Sequence, residues 1–284
     1  MCDVLFFLLM SGYWDNLGNG FQVVISSRNA SLYLERCFNS LNNALNGVDW
    51  ILHFGDDDSE DDTLNRFSRE ATSDAGTVSD ADAIKDAQAS TDADSFGAVR
   101  IRASDVHIYA YKQKAINVAK AKNRILPNLS KYSKSHPVIL FMDADDIMLP
   151  ERAKLYDTAI SNNAPWVVGS WQRDSGLHVN GSIKLHKGHL GPWSTLLHHD
   201  IIKDYMDTYG AFFYEGVSVY EDMITLRHVE LIKQYTPCFH TSHNPVHVHH
   251  RIPYSLSHSP SIDNIQKMEK ALAAIVSGKD IYLD

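Results

Sequence analysis

A chain of 284 residues with 44% hydrophobic and 21% charged side chains is long enough to bury one sizeable core or two small ones, as a soluble globular protein does. Its formal net charge of −9, with no dense lysine or arginine run, excludes a protein built to grip nucleic acid by neutralising phosphates. Cys2, Cys37 and Cys238 are widely spread and form no CxxC pair, which excludes a disulfide framework or a zinc ribbon and suits a reducing compartment.

Val4 to Met10 is apolar but too short to span a bilayer, and no basic stretch precedes it. We therefore expect no transmembrane segment and no secretory signal there, but an added strand or a poorly ordered start. The expected location is cytoplasmic, with room for peripheral membrane association. FQVVISS, Phe21 to Ser27, reads as a buried strand. Ser31 is the expected N-cap of a helix in which Leu32, Leu34, Phe38, Leu41 and Leu45 recur near helical spacing until Asn46-Gly47 stops it. Asp49 to Phe54 is a second strand and runs into GDDDSEDDT, Gly55 to Thr63. Two strands joined by a helix are parallel neighbours through a right-handed crossover. The acids that follow read either as a solvated turn capping a helix from near Thr63 or as strand-end carboxylates that bond a base or ribose.

From Arg69 to Phe96 the composition shifts to Ala, Ser, Thr and Asp, which bury too little surface to offset ordering entropy, so a mobile insertion is expected at about 69–96. Strands near Ala98 to Ile101 and Val106 to Tyr109 follow. An amphipathic helix is then expected from Tyr111 to Leu126, ended by Pro127, with Lys112, Lys114, Lys120 and Lys122 off its buried face and one of them in reach of a diphosphate. Val138 to Met142 is a short apolar run suited to a strand buried on both faces, followed at once by Asp143, Asp145 and Asp146. Carboxylates so close repel one another unless a divalent cation or strong donors compensate. If the chain stays extended, Asp143 and Asp145 converge on one cation; otherwise these acids cap a helix that starts at Pro150-Glu151. Beyond lie a helix Glu151 to Asn162, a strand Trp166 to Trp171, a turn-rich stretch Gly176 to Gly191, a helix Trp193 to Tyr205, a helix opened by Glu221-Asp222, and a histidine-rich strand around Val246 to His249.

Four of these segments, in order, resemble family 2 glycosyltransferases. Asp56 to Thr63 is similar to the family's DDGSTDxT, with Asp58 in place of glycine. Ala121 to Ile125 is similar to A-R-N-x-G, with lysine for arginine and isoleucine for the last glycine. Asp143 to Asp146 matches D-A-D-D without change, and Glu221-Asp222 matches the late ED pair. The C-terminal YRxHxxS is only loosely echoed by His249 to Ser255.

The resemblance implies an α/β protein of GT-A type, with a Rossmann-like, mostly parallel central sheet flanked by helices and a smaller acceptor-side sheet. It implies one domain over 1–284: a nucleotide-sugar half at 21–146, an acceptor half at 147–257, and a helical tail at 258–284. Asp56 and Asp57 would serve the nucleotide with Ser27, Asn29, Lys122 and Asp143. Asp145 and Asp143 would hold Mn²⁺ or Mg²⁺, and Asp222 would be the catalytic base of an inverting transfer. Trp193, Glu221, His249 and Arg251 are auxiliary or acceptor-side candidates, and Tyr214 is a second aromatic for sugar stacking. The implied donor is a nucleotide sugar, UDP-linked first and GDP- or dTDP-linked otherwise, and the acceptor a glycan or glycoconjugate. Two rivals stay open: a haloacid-dehalogenase-like phosphatase or phosphotransferase with Asp143 as nucleophile, and a catalytically silent sugar-binding module.

Overall fold

The structure, a computed structural model, describes residues 13–14, 17–71, 101–111, 115, 117–176, 178–179, 192–218, 220–240, 242, 244–250 and 261–283. Val4 to Met10, residues 72–100 of the expected insertion and strand, and Arg251 lie outside the described residues.

The strands β1 (Phe21–Ser27), β2 (Trp50–Asp57), β3 (Asp105–Tyr111) and β4 (Val138–Asp143) run parallel, with β1 between β2 and β4 and with β3 outside β2. β1 and β4 carry no polar alternation because both faces are covered. Phe21, Val23 and Ile25 with Val138, Leu140 and Met142 pack on α1 (Leu34–Ala44) through Leu34, Phe38 and Leu41. Val24, Ile139 and Phe141 enter a second core on the other face, with Phe212, Phe213 and Leu226. α1 starts two residues later than the Ser31 cap predicts, with Tyr33 at the cap position. The Ser31 amide and carbonyl are instead bonded to Asp61 Oδ2 and Arg66 beyond β2, which leaves Leu32 exposed in the preceding turn. α2 (Thr63–Ala71) follows the acidic loop, and Asp61 caps it by accepting the Thr63 amide.

The helix expected from Tyr111 to Leu126 is not continuous. Tyr111 ends β3, α3 covers only Val118–Asn123, and a 3-10 stretch runs over Leu126–Tyr132 with Pro127 inside its first turn. Asn117 starts α3 by accepting the Lys120 amide. β4 leads through a turn to the short β5 (Ile147–Met148), a 3-10 turn Pro150–Arg152 and α4 (Leu155–Ser161), so the acids do not cap a helix at Pro150.

The expected strand Trp166 to Trp171 is two strands in two sheets, β6 (Trp166–Val168) and β7 (Ser170–Arg173). The chain changes sheets at Gly169, where an added Cβ would meet Val246 Cγ1 at 2.6 Å. β7 pairs with β8 (His178–Val179). The expected helix Trp193 to Tyr205 is a 3-10 turn Pro192–Ser194, then β9 (Thr195–His198), then α5 (His199–Tyr209). β9 lies antiparallel between β4 and β6, whose backbone groups claim it for the sheet. α6 (Glu221–Leu231), β10 (Cys238–Phe239), β11 (Pro245–His249) and α7 (Ile262–Val276) complete the chain. The central sheet has the order β10-β6-β9-β4-β1-β2-β3, and a smaller sheet the order β5-β11-β7-β8.

Candidate active site

β1, β2 and β4 end together, with Ser27 opposite Asp56 and Ser26 opposite Asp143. The strand order reverses direction at β1, and such a switch point opens a crevice at the carboxyl ends of the strands. Past Asp143 the chain turns, the Asp146 amide bonding the Asp143 carbonyl at 3.1 Å, so Asp145 sits in a turn and not on an extended strand. The two carboxylates still lie close enough to interact. Burial first, then the charges of Asp146 and Asp143, push the Asp145 carboxyl up to about 7.

Asp146 is fully buried and accepts three bonds from β11 and the residue after it: His247 Nε2 at 2.8 Å, His249 Nδ1 at 3.3 Å and the His250 amide at 2.7 Å. Burial opposes its charge, but the two histidines outweigh this and hold the carboxyl well below the usual range. For His249 burial is likewise outweighed by Asp146, which lifts the imidazole to about 9. Losing one partner of such a buried group costs about 3–5 kcal/mol, so Asp146 fastens the smaller sheet to the acidic turn. Beyond its place in D-A-D-D, Asp146 carries no mark of this role in the sequence; the alternation of His247 and His249 with Val246 and Val248 is the one local sign of its partners.

The ligand atoms of Asp146, His247 and His249 lie within 4.8 Å of one another. Asp146 is already bonded by both rings, which makes it the carboxylate that orients His249, as carboxylates behind metal-binding histidines do. With Nδ1 so engaged, His249 has Nε2 to offer in the neighbourhood of Asp143 and Asp145, whose charges act on it. Carboxylate oxygens with one imidazole fit Mn²⁺ or Mg²⁺, and their crowding is relieved by a dication.

Lys122, expected off its helix's buried face and at the nucleotide, is buried and joins two elements: Nζ stands 3.0 Å from Glu221 Oε1 and 3.7 Å from Asp143 Oδ1. Burial works against its charge, yet Asp143, Glu221 and Asp222 together raise its pKa. Asp222 is buried beside Glu221 in the first turn of α6. Burial first and Glu221 second push its carboxyl up to about 7, while Lys122 pulls it down. Asn123, the next residue of α3, holds the segment that leads to α6: its Oδ1 accepts the Phe212 and Phe213 amides, and its Nδ2 donates to the Phe213 carbonyl and Glu215. Asn123 stood within the quoted motif without a role of its own. Trp193 lines a crevice with Ser26, Asp143 and Lys122, and its ring stacks on His249 at 5.2 Å. Tyr214 packs edge-on against Tyr282 at 5.5 Å.

At the end of β2, Asp57 Oδ1 accepts the Ala115 amide at 2.8 Å and Arg124 Nη1 at 3.1 Å, and Arg124 lies across the Tyr111 ring at 5.2 Å. Asp56 closes the acidic loop on the Ser59 amide and hydroxyl; burial pushes its pKa up against those bonds. Asn29 is a clasp, its side chain accepting the Glu60 amide at 2.8 Å. The Ser27 hydroxyl is buried with no hydrogen-bond partner among the described residues.

No family profile matches the sequence, and comparison with curated proteins finds no match. Solved structures do match. S. aureus TarS 1-349 in complex with UDP-GlcNAc aligns with a TM-score of 0.63 at 15% identity, over 92% of this chain and 68% of that one. The mannosyltransferase PcManGT from Pyrobaculum calidifontis, in complex with GDP-Man and Mn²⁺, aligns with a TM-score of 0.52 at 11% identity, over 98% and 72%. The chain has the GT-A fold. Against a longer S. aureus TarS structure this GT-A chain spans 43% of the length. Within its GT-A sheet, the acidic turn, Lys122 and the start of α6 meet at one edge.

Proposed function

We propose that the protein is a metal-dependent, inverting glycosyltransferase that moves a sugar from a uridine diphosphate donor to a hydroxyl of a glycan or glycoconjugate. The observation that carries this reading is Lys122, whose single ammonium spans Asp143 at the end of β4 and Glu221 beside Asp222, so that metal-motif and base candidates share one cleft. Its structural neighbours with UDP-GlcNAc, and with GDP-Man and Mn²⁺, support the donor class and the cation.

Asp145, Asp143 and His249 would hold the divalent cation, which when bound offsets charge on the departing diphosphate as a Lewis acid. Asp222 takes the proton of the acceptor hydroxyl, which calls for a base that titrates near neutrality. Lys122 keeps Asp222 from rising further and holds Glu221 and Asp143 in place. Trp193 offers its ring as one wall of the crevice.

The base is read by hydrogen-bond inventory. Asp57 Oδ1 already accepts two bonds, which leaves Oδ2 to accept from a ligand, and the guanidinium beside it carries five N–H donors. Uracil offers one N–H flanked by carbonyls and matches this pair. Guanine offers two adjacent N–H groups that pair in parallel with two free carboxylate oxygens, and here Oδ1 is already doubly engaged; cytosine and adenine set a ring-nitrogen acceptor against the carboxylate. The test is transfer from UDP-sugars with Mn²⁺. Asp222→Asn should lower transfer by about 10²–10⁴-fold with donor affinity unchanged. Lost donor affinity instead would mean a wrong role for Asp222, and turnover that persists in chelator would remove the cation. Hydrolysis of a generic phosphate ester would revive Asp143 as a nucleophile.

A further inference from the structure

We infer that Arg36 is a positioning residue for the cation site, holding the Asp143–Asp146 turn in its binding shape from α1; this rests on the metal-dependent reading proposed above. Arg36 Nη2 donates to the Asp145 carbonyl at 2.6 Å. One helical turn later on the same face, Ser40 Oγ accepts the Met148 amide at 3.0 Å while donating to the Cys37 carbonyl. α1 therefore holds the turn at Asp145 and the strand that leaves it at Met148, and the buried Asp146 between them is tied to β11.

Arg36 is not a loose surface arginine. Its guanidinium lies 5.8 Å from the Tyr33 ring, and its Nε–H is buried with no hydrogen-bond partner among the described residues. A side chain free to swing into water would shed that unmet bond; this one keeps it to reach Asp145. The bond matters because a carbonyl fixes the two dihedrals around it, and those around Asp145 set where its carboxylate stands relative to Asp143. Three carboxylates within four residues push the turn open. A donor on its central carbonyl closes it without occupying a carboxylate oxygen.

Two consequences of Arg36 have opposite sign, which makes the inference testable. As a cation it disfavours a second cation nearby. As a clamp it favours one by pre-shaping the ligands. The inference is that the clamp wins. Mn²⁺ affinity is measured by electron paramagnetic resonance titration of the 284-residue chain with UDP present, for wild type, Arg36→Met, Arg36→Lys and Ser40→Ala. Arg36→Met should weaken Mn²⁺ binding by about tenfold, the scale of one hydrogen bond to a charged group, with Arg36→Lys losing less. Ser40→Ala, which changes no charge, should weaken it in the same direction. An Arg36→Met affinity that is unchanged or tighter overturns the inference.

Amide hydrogen exchange without metal supplies a second readout. The Asp146 and Met148 amides, bonded to the Asp143 carbonyl and Ser40, should exchange faster in Arg36→Lys and Ser40→Ala; unchanged rates overturn the inference even if Arg36→Met fails to fold. Wild type that binds no Mn²⁺ counts against the proposed function alone, and the exchange rates then decide Arg36.

Discussion

Asp222 occupies a helix first turn, where the dipole favours a carboxylate, yet burial and the adjacent Glu221 outweigh that preference and lift it to about 7. As the base proposed above, Asp222 must be ionised to act, so kcat/KM at saturating Mn²⁺ should climb as pH rises through about 7 and then level off. Lys122 holds the carboxyl down, and Lys122→Met should move that acid limb to higher pH; a limb that stays in place would show that Lys122 does not govern the base. For folding the sign is the reverse. Because the folded pKa exceeds the ordinary 3.8, Asp222 favours the folded state most below 3.8, and this contribution is lost as pH rises through about 7. Asp58 is a second local cost. Its φ of +58° lies in the left-handed region, which explains why the related motif has glycine there.

α6 depends on the C-terminal tail for its placement. His228 binds Tyr205 through Nδ1 at 2.7 Å and Asp280 through Nε2 at 2.9 Å, Tyr209 donates to Asp280 at 2.7 Å, and Tyr282 donates to the Phe212 carbonyl at 2.6 Å. Burial lowers the His228 pKa against the pull of Asp280. Burial opposes the Asp280 charge, but Tyr209, the Tyr282 amide and His228 outweigh it and depress that pKa. Both folded pKa values lie below the unfolded ones. The stability they confer is present above 6.5 for the histidine and above 3.8 for the aspartate, and is lost as pH falls through each folded pKa. Asp280→Asn should therefore cost about 1 kcal/mol at neutral pH, seen in chemical denaturation, and should melt with less dependence on acid below pH 3.8 than wild type. Equal acid dependence in the two proteins would place the sensitivity elsewhere.

At the scale of the whole molecule, separate parts of the chain converge on one edge of the sheet: β2 with Asp57 beside Arg124, β4 with the acidic turn, α3 with Lys122 and α6 with Asp222. A cleft assembled this way exists only in the folded state, so its ligands stabilise folding by mass action, by about 2.7 kcal/mol at a concentration of 100 Kd. UDP with Mn²⁺ should raise the melting temperature more than either alone, and CDP or ADP with Mn²⁺ should add nothing to the shift from Mn²⁺. Equal shifts for all three nucleotides would sink the reading of Asp57 and Arg124. No helix among the described residues is long and apolar enough to cross a membrane.

Phe21–Ser27 is legible in the sequence to the residue and Val138–Asp143 to within one, because a strand covered on both faces is largely apolar and its acids appear where it leaves the core. The motif positions Asp57, Asp143, Asp145 and Asp222 stand out through the resemblance to family 2 glycosyltransferases; local spacing alone leaves each of them open to a capping role. Local spacing carries nothing about what stands across the cleft. Lys122 meets Glu221 over a separation of 99 residues, His247 meets Asp146 over 101 and Arg36 meets Asp145 over 109. Thr195–His198 likewise becomes a strand only because β4 and β6 leave a gap between them. The sequence by itself determined the strands that end at the cleft and, through shared motifs, the candidate groups. Tertiary structure alone decided which of them face one another, since burial and charge act through space.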